Sequence, residues 1–538
     1  MVDIDSPEPV PPGLLAAFWR YDGALLADDR AVLSELFLAG EGTLRGDGRN
    51  LHVGHDAISG YRSARSVVPT RAITRLYVRV LSAGHALIMA STADGTATGL
   101  QTQLWRLTKE GWRVAAAHVT PPTAPPNTGP LYPAPPAFDS SVWRVVGAPL
   151  AAPLGRGPLD GYGVAVKDLF AVAGQPVGAG VPAFLTGQPP RPESAWPVTA
   201  LRRAGAQLTG IAQTDEFAYS IAGRNAHYGA PPNPAAPARL GGGSSSGPAA
   251  AVALGQARVG LGTDTAGSIR IPASYQGLVG FRPTHGAVST EGMLPLAPSF
   301  DAVGWLTRNV ADSRAVAAVL LPPAADVTGP PAGLTRLIRL PAVEQLADPD
   351  VQELAARQAG QASAAGLLPP AAEVSLPPQV VEEWFAAFRT VQAHQAWQSH
   401  GAWISAHPGA LGADVAARFA AAAAVTAEEA ADARALAAKA RSELTRWLDG
   451  AVLVLPTAPG PAPLRSAGAA EIDAVRGRTL RMSCLAPLAG APAVSLPLAG
   501  HDAPVGLCLV SAPGTDGALL ALAAGLEAGL EAASAGGR

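Results

Sequence analysis

Serine residues crowd one short glycine-rich stretch, and serine hydroxyls form covalent acyl intermediates when a base accepts their proton. The stretch runs from Gly241 to Ser274 as GGGSSSGPAAAVALGQARVGLGTDTAGSIRIPAS and contains no histidine. Its segment Gly243 to Gly247 fits the G-x-S-x-G nucleophile elbow, with Ser245 as the nucleophile. That elbow requires a preceding strand, whereas the prolines and glycines of PPNPAAPARLGG exclude a central strand. The sequence therefore disfavours an elbow.

Two other interpretations of the same stretch also fail. A phosphate-binding loop would need Gly-Lys-Ser/Thr after the glycines, and no such triplet follows them. A flexible Gly/Ser linker would not continue directly into the helical pattern AAAVALG and the strand-like ARVGLG. A third interpretation takes GGGSSSG together with GTDTAGSIRIPAS, which place Ser244 and Ser268 24 residues apart, and with the upstream VAVKD, which contains Lys167.

Several motifs in this order resemble the amidase signature family, whose members hydrolyse amide bonds with a Ser, cis-Ser, Lys triad. They are VAVKD, GGGSSSG and GTDTAGSIRIPAS, followed by GLVGFRPTHGAVSTEGMLPLAPSFDAVGW and GAPAVSLPLAGHDAPVGLCLV. The resemblance covers roughly Ser140 to Leu530. It implies an α/β amidase-signature fold, in which helices cover a mixed twisted sheet, and a seryl acyl-enzyme that needs no metal or organic cofactor.

The resemblance also assigns a role to each candidate catalytic residue. Ser268 would attack the amide carbonyl, Ser244 would relay the proton, and Lys167 would be the general base. Lysine can act as a base only if burial lowers its pKa, and VAVKDLF supplies apolar surroundings. Preorganised N–H donors must stabilise the negative oxygen of the tetrahedral intermediate. The candidates for this oxyanion hole are the backbone N–H groups of Thr265, Ala266, Gly267 and Ser268.

Neighbouring residues are expected to support this loop. Asp264 would brace it by hydrogen bonds, with Arg270 as its ion-pair partner, and we favour a structural role for Ser245 and Ser246. Two positions depart from the family pattern. Ala266 stands where many relatives carry glycine, which would narrow the loop slightly. Pro248 stands where a small residue is common, and proline is compatible with the start of a helix.

Proline marks the predicted domain boundary, because residues 121–136 contain eight prolines in sixteen positions. We therefore predict a first domain over 1–120, a linker over 121–139 and a catalytic domain over 140–538. Within the last, GVAVKDL and AVLVLPT have the pattern of buried strands, and alanine-rich segments that of helices. Leu354 to Leu448 is predicted to be a helical cap that supplies walls of the substrate pocket.

The first domain combines two predicted helices, GLLAAFWRYDGALL and DDRAVLSELF, with four strand-like runs, two of them joined by a hairpin turn at Lys109 to Gly111. This pattern resembles the NTF2-like, or SnoaL-like, α+β cone domains that accompany amidases of biuret and s-triazine degradation. The resemblance places Tyr21 and Arg45 inside the cone, where a guanidinium can bind a carboxylate. Two hypotheses stay open: a second small-molecule site, or a module that makes a homodimer.

Composition limits the partners and the location. Net charge is −3 with scattered basic residues, so we expect no nucleic acid and no membrane as partner. Two cysteines in a long chain, and an acidic, proline-rich start instead of a signal peptide, predict a cytoplasmic protein. His52 and His55 have H-x-x-H spacing without further ligands nearby, so no metal site is expected.

The substrate is the least determined part of this interpretation. Similarity to biuret-pathway amidases favours a small-molecule urea-like amide, whereas THGAVSTEGMLPLAPSFDAVGW also resembles amidases that act on arylacetamides such as indole-acetamide. The competing classes are a non-catalytic binding protein with an amidase fold, and a subunit that acts on misacylated tRNA. The intact Lys167, Ser244 and Ser268 oppose the first class, and the scattered basic residues oppose the second.

Overall fold

The computed structural model describes residues 2–46, 50–64, 71–94, 97–120, 138–325 and 333–536. The chain divides into two compact units, Met1–Pro136 and Ala137–Arg538. Nearly all of the predicted linker, 121–139, lies outside the described residues, so its boundaries stay a prediction. Each unit has its own hydrophobic core and its own sheet.

The first unit begins with helices and continues into long strands, as its sequence pattern predicts. Its helices are α1 (Leu14–Leu26), α2 (Arg30–Leu36) and α3 (His55–Ala64). Its strands are β1 (Asp3–Asp5), β2 (Leu44–Gly46), β3 (Leu51–Val53), β4 (Ala72–Ser82), β5 (His85–Asp94), β6 (Ala97–Thr108) and β7 (Gly111–Thr120). The two predicted helices, the four predicted strands and the hairpin turn are confirmed. Helix α3 and strands β1 to β3 are additions that the sequence analysis missed.

The sheet of the first unit has the order β1-β4-β5-β6-β7-β2-β3. The four long strands pair antiparallel along the chain, whereas β1 pairs with β4 and β2 with β7 in parallel. Alternate side chains of these strands pack against α1 and α2, and Phe18, Tyr21 and Trp105 are fully buried in this core. A cluster of aromatic residues thus lines one face of the sheet.

The second unit contains strands throughout its length, most of them short and buried. They are β8 (Trp143–Ala151), β9 (Gly163–Lys167), β10 (Gln207–Ala212), β11 (Val259–Asp264), β12 (Val279–Arg282), β13 (Ala302–Thr307), β14 (Arg336–Arg339), β15 (Ala371–Glu373), β16 (Ala451–Pro456), β17 (Ala493–Leu498) and β18 (Val505–Ser511).

Helices alternate with these strands and cover the sheet. They are α4 (Pro182–Thr186), α5 (Trp196–Arg203), α6 (Ser246–Ala253), α7 (Arg270–Gln276), α8 (Val310–Leu320), α9 (Pro341–Glu344), α10 (Pro349–Ala364), α11 (Pro378–Ala406), α12 (Ala413–Ala423), α13 (Ala427–Leu448), α14 (Ala469–Ser483), α15 (Leu485–Ala489) and α16 (Asp516–Gly536). Two 3₁₀ turns, Glu216–Ala218 and Pro323–Ala325, complete the described elements.

The eleven strands form one mixed sheet of order β15-β14-β16-β18-β17-β12-β13-β11-β9-β10-β8. Strand β9 lies parallel to both β10 and β11, with Leu261 opposite Val166. Two large hydrophobic clusters involve residues of the sheet and of the helices that cover it. The predicted mixed sheet covered by helices is confirmed, and β9 and β11 bring the predicted catalytic segments side by side.

The predicted helical cap at Leu354 to Leu448 consists of α10 to α13 and one short strand, β15, which the sequence analysis did not expect. Strand β15 extends the sheet edge beside β14. Helix α13 begins with a capping box, in which the Thr426 hydroxyl and the Glu429 carboxylate each accept a backbone N–H of the other residue. The start of this long helix is therefore specified locally by its sequence.

Across the described part of the chain, the helices are each too short or too polar to cross a lipid bilayer.

Candidate active site

Lys167 ends strand β9 inside the protein, and its side chain is completely buried. Its Nζ lies 2.8 Å from the Ser244 hydroxyl, 3.1 Å from the Ser245 hydroxyl and 2.8 Å from the Thr263 hydroxyl. A lysine is rarely buried without an ionic partner. Here three neutral hydroxyl groups surround the amine at hydrogen-bond distance, so the structure places Lys167 and Ser244 together as predicted.

Burial lowers the pKa of Lys167 to about 7, because removal from water disfavours the charged ammonium. The carboxylates of Asp215, Asp264 and Asp301 act in the opposite direction but do not restore the ordinary value. The neutral amine is therefore well populated near neutral pH. A lysine in this state can accept a proton from a hydroxyl group.

Ser244 follows a cis peptide bond with Gly243, as the family resemblance implies for the second triad serine. Its carbonyl accepts hydrogen bonds from the Thr214 hydroxyl at 2.9 Å and from the Asp215 N–H at 3.2 Å. The backbone at Gly243 is tightly enclosed. A Cβ atom there would come within 2.5 Å of the Asp215 carboxylate and 2.7 Å of the Gly223 nitrogen. Glycine is therefore required beside this serine.

Ser268 lies in the loop between β11 and α7 and lines a pocket that is open to solvent. Its carbonyl accepts a hydrogen bond from the Ser245 N–H at 3.2 Å, which joins the two serine-bearing loops. Its hydroxyl makes no hydrogen bond with another described residue. The backbone of Ser268 is thus bonded to the loop that carries Ser244 and Ser245, and Ser268 lines the pocket.

The loop that carries Ser268 is held by the carboxylate of Asp264. This carboxylate accepts the Gly267 N–H at 2.9 Å and the Ile269 N–H at 3.2 Å, and it forms an ion pair with Arg270 at 2.9 Å. Burial acts to raise the pKa of Asp264, but the Arg270 and Arg282 guanidinium groups outweigh it and hold the pKa well below its usual range. The expected brace and its ion-pair partner are confirmed.

The predicted oxyanion-hole groups differ in their availability. The Gly267 N–H already donates to Asp264, so it is engaged within the protein. Among the described residues, the N–H groups of Thr265, Ala266 and Ser268 have no acceptor at hydrogen-bond distance. The Ala266 carbonyl accepts the Ser483 hydroxyl at 2.6 Å. Three of the four predicted donors are therefore available to a ligand.

Sequence analysis missed several residues of this site. Thr263 was not considered, although the β9–β11 pairing places its hydroxyl on Lys167. Ser245 was given only a structural role, and its hydroxyl also contacts the amine. The available signal for Thr263 was a threonine five residues before Ser268 that directly follows the strand-like ARVGLG. Gln392 and Arg476 line the pocket from distant helices, and no local motif marks them.

Tyr21 and Arg45 are both buried in the first unit. The Tyr21 hydroxyl has no hydrogen-bond partner, and neither have the Nε and Nη1 atoms of Arg45, within the part of the chain that is described. The Arg45 guanidinium lies 4.7 Å from the ring centre of Tyr61. In the same unit, Arg71 binds the carboxylate of Asp22, the neighbour of Tyr21 in the chain, at 3.0 Å. This core therefore holds a buried cation with unused donors.

No group of three potential metal ligands occurs among the described residues. The His52 ring lies 4.2 Å from the ring centre of Tyr61, and the Nε2 atom of His55 lies 3.0 Å from the Ser34 carbonyl. Both histidines of the H-x-x-H pair therefore have neighbours within the fold of the first unit.

Comparison with known proteins matches both units to families. Residues 150–520 match the Amidase family, and residues 2–123 match the AtzH-like family. Amidase 1 of Arabidopsis thaliana is 35% identical over 418 residues, which are 73% of this chain and 98% of that protein. A crystal structure of an amidase is 36% identical with a TM-score of 0.63, covering 70% of this chain and 86% of that one.

A second solved structure belongs to a vestigial protein complex that reveals the evolutionary origins of an s-triazine catabolic enzyme. It is 28% identical with a TM-score of 0.63, and the match covers 69% of this chain and 85% of that one. The Amidase match alone spans more than half of the chain. The chain therefore belongs to the amidase family of amide-hydrolysing enzymes, and it carries an AtzH-like domain before the amidase domain.

Proposed function

We propose that the second unit hydrolyses a small-molecule carboxamide to an acid and ammonia or an amine through an acyl-enzyme on Ser268. The observation that carries this proposal is the buried Lys167 amine, 2.8 Å from the Ser244 hydroxyl and with a pKa of about 7. A buried lysine among hydroxyl groups costs stability, because its charge is lost or left without a full partner. Catalysis explains why the fold keeps it.

In the proposed first step, the Ser268 oxygen attacks the amide carbonyl carbon and forms a C–O bond. Its proton passes to Ser244 while the Ser244 proton passes to the neutral amine of Lys167. The backbone N–H groups of Thr265, Ala266 and Ser268 would stabilise the negative carbonyl oxygen. Gly267 shapes this loop with a φ of +113°, in the region that favours glycine.

The tetrahedral intermediate then collapses, and the C–N bond breaks. Lys167 returns its proton through Ser244 to the leaving nitrogen, which departs as ammonia or an amine. Water next attacks the ester of Ser268, with the same lysine and serine accepting the proton of water. The acid leaves, and the Ser268 hydroxyl is restored, so atoms and charges balance with no cofactor in any step.

For the substrate, a urea- or biuret-like amide is our first choice, and the similarity to the s-triazine-related structure supports it. An arylacetamide is the alternative, and a non-catalytic binding protein is the competing class. A cytoplasmic location is part of the proposal. It is supported by Cys484 and Cys508, which are buried and unpaired, as is common in a reducing compartment.

The test is ammonia release from biuret-like, aliphatic and arylacetamide compounds by the wild type and by Ser268→Ala. Ser442→Ala, at an exposed serine of α13, is the matched control. We expect release that is lost in Ser268→Ala and retained in the control. Undiminished release from Ser268→Ala would rule out this nucleophile, and no release by the wild type would contradict amide hydrolysis of these classes.

A second candidate function belongs to the first unit, and the unpartnered donors of the buried Arg45 and Tyr21 favour it. We propose that these groups bind the carboxylate of a small molecule, because a buried guanidinium gains most from an anion that it contacts through two donors. The competing proposal is that this unit is a dimerisation module and makes a homodimer.

Arg45→Ala separates the two proposals for the first unit. Malonate binding is measured by calorimetry, and molecular mass by light scattering, with the exposed Arg106→Ala of β6 as control. A carboxylate site predicts loss of malonate binding at unchanged mass. Unchanged binding with a lower mass would refute the site and favour the dimerisation module.

A further inference from the structure

The pocket beside Ser268 has a single charged residue among its described lining residues, and that residue is Arg476 of α14. Five of the ten other lining residues are apolar, namely Ala218, Ile221, Ala266, Leu296 and Leu480. A partly buried cation is less well solvated than one in open water and therefore favours a negatively charged ligand. The pocket therefore contains a charge for which amide hydrolysis alone gives no reason.

The charge of Arg476 is only partly balanced inside the protein. Its Nη1 lies 3.3 Å from Asp473, a carboxylate whose side chain is 71% exposed, and its Nε is buried with no partner among the described residues. The neighbouring Arg418 differs. Its Nη1 donates to the Tyr219 carbonyl at 3.0 Å and its Nη2 pairs with Asp414 at 3.0 Å. Arg418 is thus occupied, whereas Arg476 has an unused donor.

Burial, and next the positive charge of Arg418, lower the pKa of Arg476 from its ordinary value. The surroundings of this guanidinium therefore disfavour its charge instead of compensating it. An anion placed in the pocket would relieve both effects, since it would supply the missing opposite charge and accept the free N–H group.

A second polar group faces the same pocket from the helical cap. Gln392 of α11 lines the pocket and is only 6% exposed, and its side chain makes no hydrogen bond with a described residue. Gln395, one turn further along, shows the ordinary situation. Its side-chain oxygen accepts the Ser299 N–H at 3.0 Å, and its side-chain nitrogen donates to the Ser299 hydroxyl at 2.6 Å. The unused amide of Gln392 is available to a ligand.

We propose that this pocket selects amides that also carry a carboxylate, and that Arg476 and Gln392 bind this carboxylate while the amide reaches Ser268. The substrate class is then a half-amide of a short dicarboxylic acid, which replaces the neutral urea- or biuret-like amide as our first choice within the proposed carboxamide hydrolysis. This inference rests on the proposed function, because it assigns the specificity of the same site. A neutral amide of equal length would leave the buried donors unpaired, which strongly disfavours its binding.

The probes must carry an amide and a carboxylate at opposite ends of a short chain, because Ser268 and Arg476 line the same pocket. Succinamate and glutaramate are therefore suitable probes, and butyramide and pentanamide are their neutral counterparts of equal chain length.

The test compares kcat/KM for these four amides in the wild type, in Arg476→Gln and in the control Arg446→Gln. Arg446 is an exposed arginine of α13, so its substitution gives the same change in charge outside the pocket. We expect the wild type and the control to prefer the half-amides by at least about tenfold, and Arg476→Gln to lose this preference. Equal kcat/KM values for the half-amides and the neutral amides in the wild type would overturn the proposal.

A binding measurement separates failure of this inference from failure of the proposed function. Succinate and glutarate, the product acids, are titrated into Ser268→Ala with and without Arg476→Gln. Binding that is weakened about a hundredfold by Arg476→Gln supports the carboxylate site even if no amide is hydrolysed. Hydrolysis of amides together with binding that Arg476→Gln leaves unchanged would retain the proposed function and overturn the inference.

Discussion

At the scale of single residues, the amine of Lys167 has three hydroxyl neighbours, which cannot all have the same role. A neutral amine has one lone pair, so only one hydroxyl donates a proton to it and the other two accept its N–H groups. Ser244 follows the cis peptide next to the Ser268 loop and is the donor in our proposal. Ser245 and Thr263 then accept from the amine and fix the direction of its lone pair.

The first prediction concerns the pH dependence of amide hydrolysis. The general base must be neutral, and the pKa of Lys167 is lowered to about 7, so activity should rise with pH through this value and level off above it. Measurement of kcat/KM between pH 5 and 9, with a neutral substrate, gives this profile. A flat profile across this range, or activity that falls as pH rises through 7, would contradict Lys167 as the base.

The second prediction is for the accepting hydroxyl of Thr263. Thr263→Val removes the hydroxyl at nearly constant shape, so one N–H of Lys167 loses its acceptor and the direction of the lone pair is no longer fixed. We expect kcat to fall by about 10- to 100-fold, with KM much less affected. Thr263→Ser keeps the hydroxyl and is expected to restore most of the activity.

A purely structural role for Thr263 predicts a different result. Thr263→Val would then lower the melting temperature without a selective loss of kcat. In Thr263→Ser, stability and kcat would change together. The position of the acidic limb provides another readout. The Thr263 hydroxyl accepts from Lys167 and so favours its ammonium form. Its removal should therefore lower the pKa of Lys167 and move the rise in activity to lower pH.

Lys167, Ser244 and Ser268 could be proposed from the sequence because their motifs are local and stand in an order that resembles the amidase signature family. The contact of Thr263 with Lys167 could not, because it depends on the parallel pairing of β9 with β11. Gln392 and Arg476 reach the pocket from helices more than 100 residues beyond Ser268 in the chain. Their position depends on tertiary packing, for which a single sequence contains no periodic signal.

At the scale of elements, the turn from β11 to α7 places Ser268, and Asp264 organises this turn. One carboxylate accepts backbone N–H groups of the loop and pairs with Arg270 at the start of α7. Arg282 of β12 also donates to it at 3.3 Å. The strand, the loop and the helix are therefore fixed relative to one another by a buried ionic network.

The third prediction follows from this network. Asp264→Asn leaves two buried guanidinium groups without their anion, and loss of one partner of a buried pair costs about 3–5 kcal/mol in free energy of unfolding. Urea denaturation of the wild type and of Asp264→Asn measures the difference. Asp473→Asn, at an exposed carboxylate that pairs with Arg476, is expected to change stability by less than about 1 kcal/mol.

If Asp264→Asn and Asp473→Asn changed the free energy of unfolding equally, Asp264 would not be the brace of the loop. A stable Asp264→Asn protein with full activity would contradict the brace as well, because the loop would then hold its shape without the carboxylate. Loss of activity at unchanged stability would instead limit the role of Asp264 to local positioning of Ser268.

The elements that were predicted and those that were missed differ in a physical way. Long strands such as β4 to β7 have strong alternation and clear turns, and α13 has a capping box. Strands β1 and β15 have three residues each, too few for a periodic pattern, and they form because a neighbouring strand offers an edge. Helix α3 has a mixed polar sequence, HDAISGYRSA, whose large apolar side chains are only Ile58 and Tyr61.

At the scale of the whole molecule, the candidate amidase site lies within one unit. Lys167, Ser244, Ser268 and the pocket residues Gln392 and Arg476 all belong to Ala137–Arg538. The sheet of eleven strands and its two hydrophobic clusters belong to that unit as well. The first unit has a separate sheet and a separate core around Phe18 and Trp105. A separate core is the physical requirement for independent folding.

The fourth prediction is therefore that the second unit works alone. A protein of residues 137–538 should fold cooperatively and hydrolyse the substrate with kcat/KM within about threefold of the full chain, since no described catalytic or pocket residue is removed. The matched control is the full chain with Arg45→Ala, which alters the first unit without deleting it. Loss of activity in the shortened protein alone would show that the first unit contributes more than a separate carboxylate site. Loss of activity in both the shortened protein and the Arg45→Ala chain would mean that Arg45 and the amidase site act on one reaction.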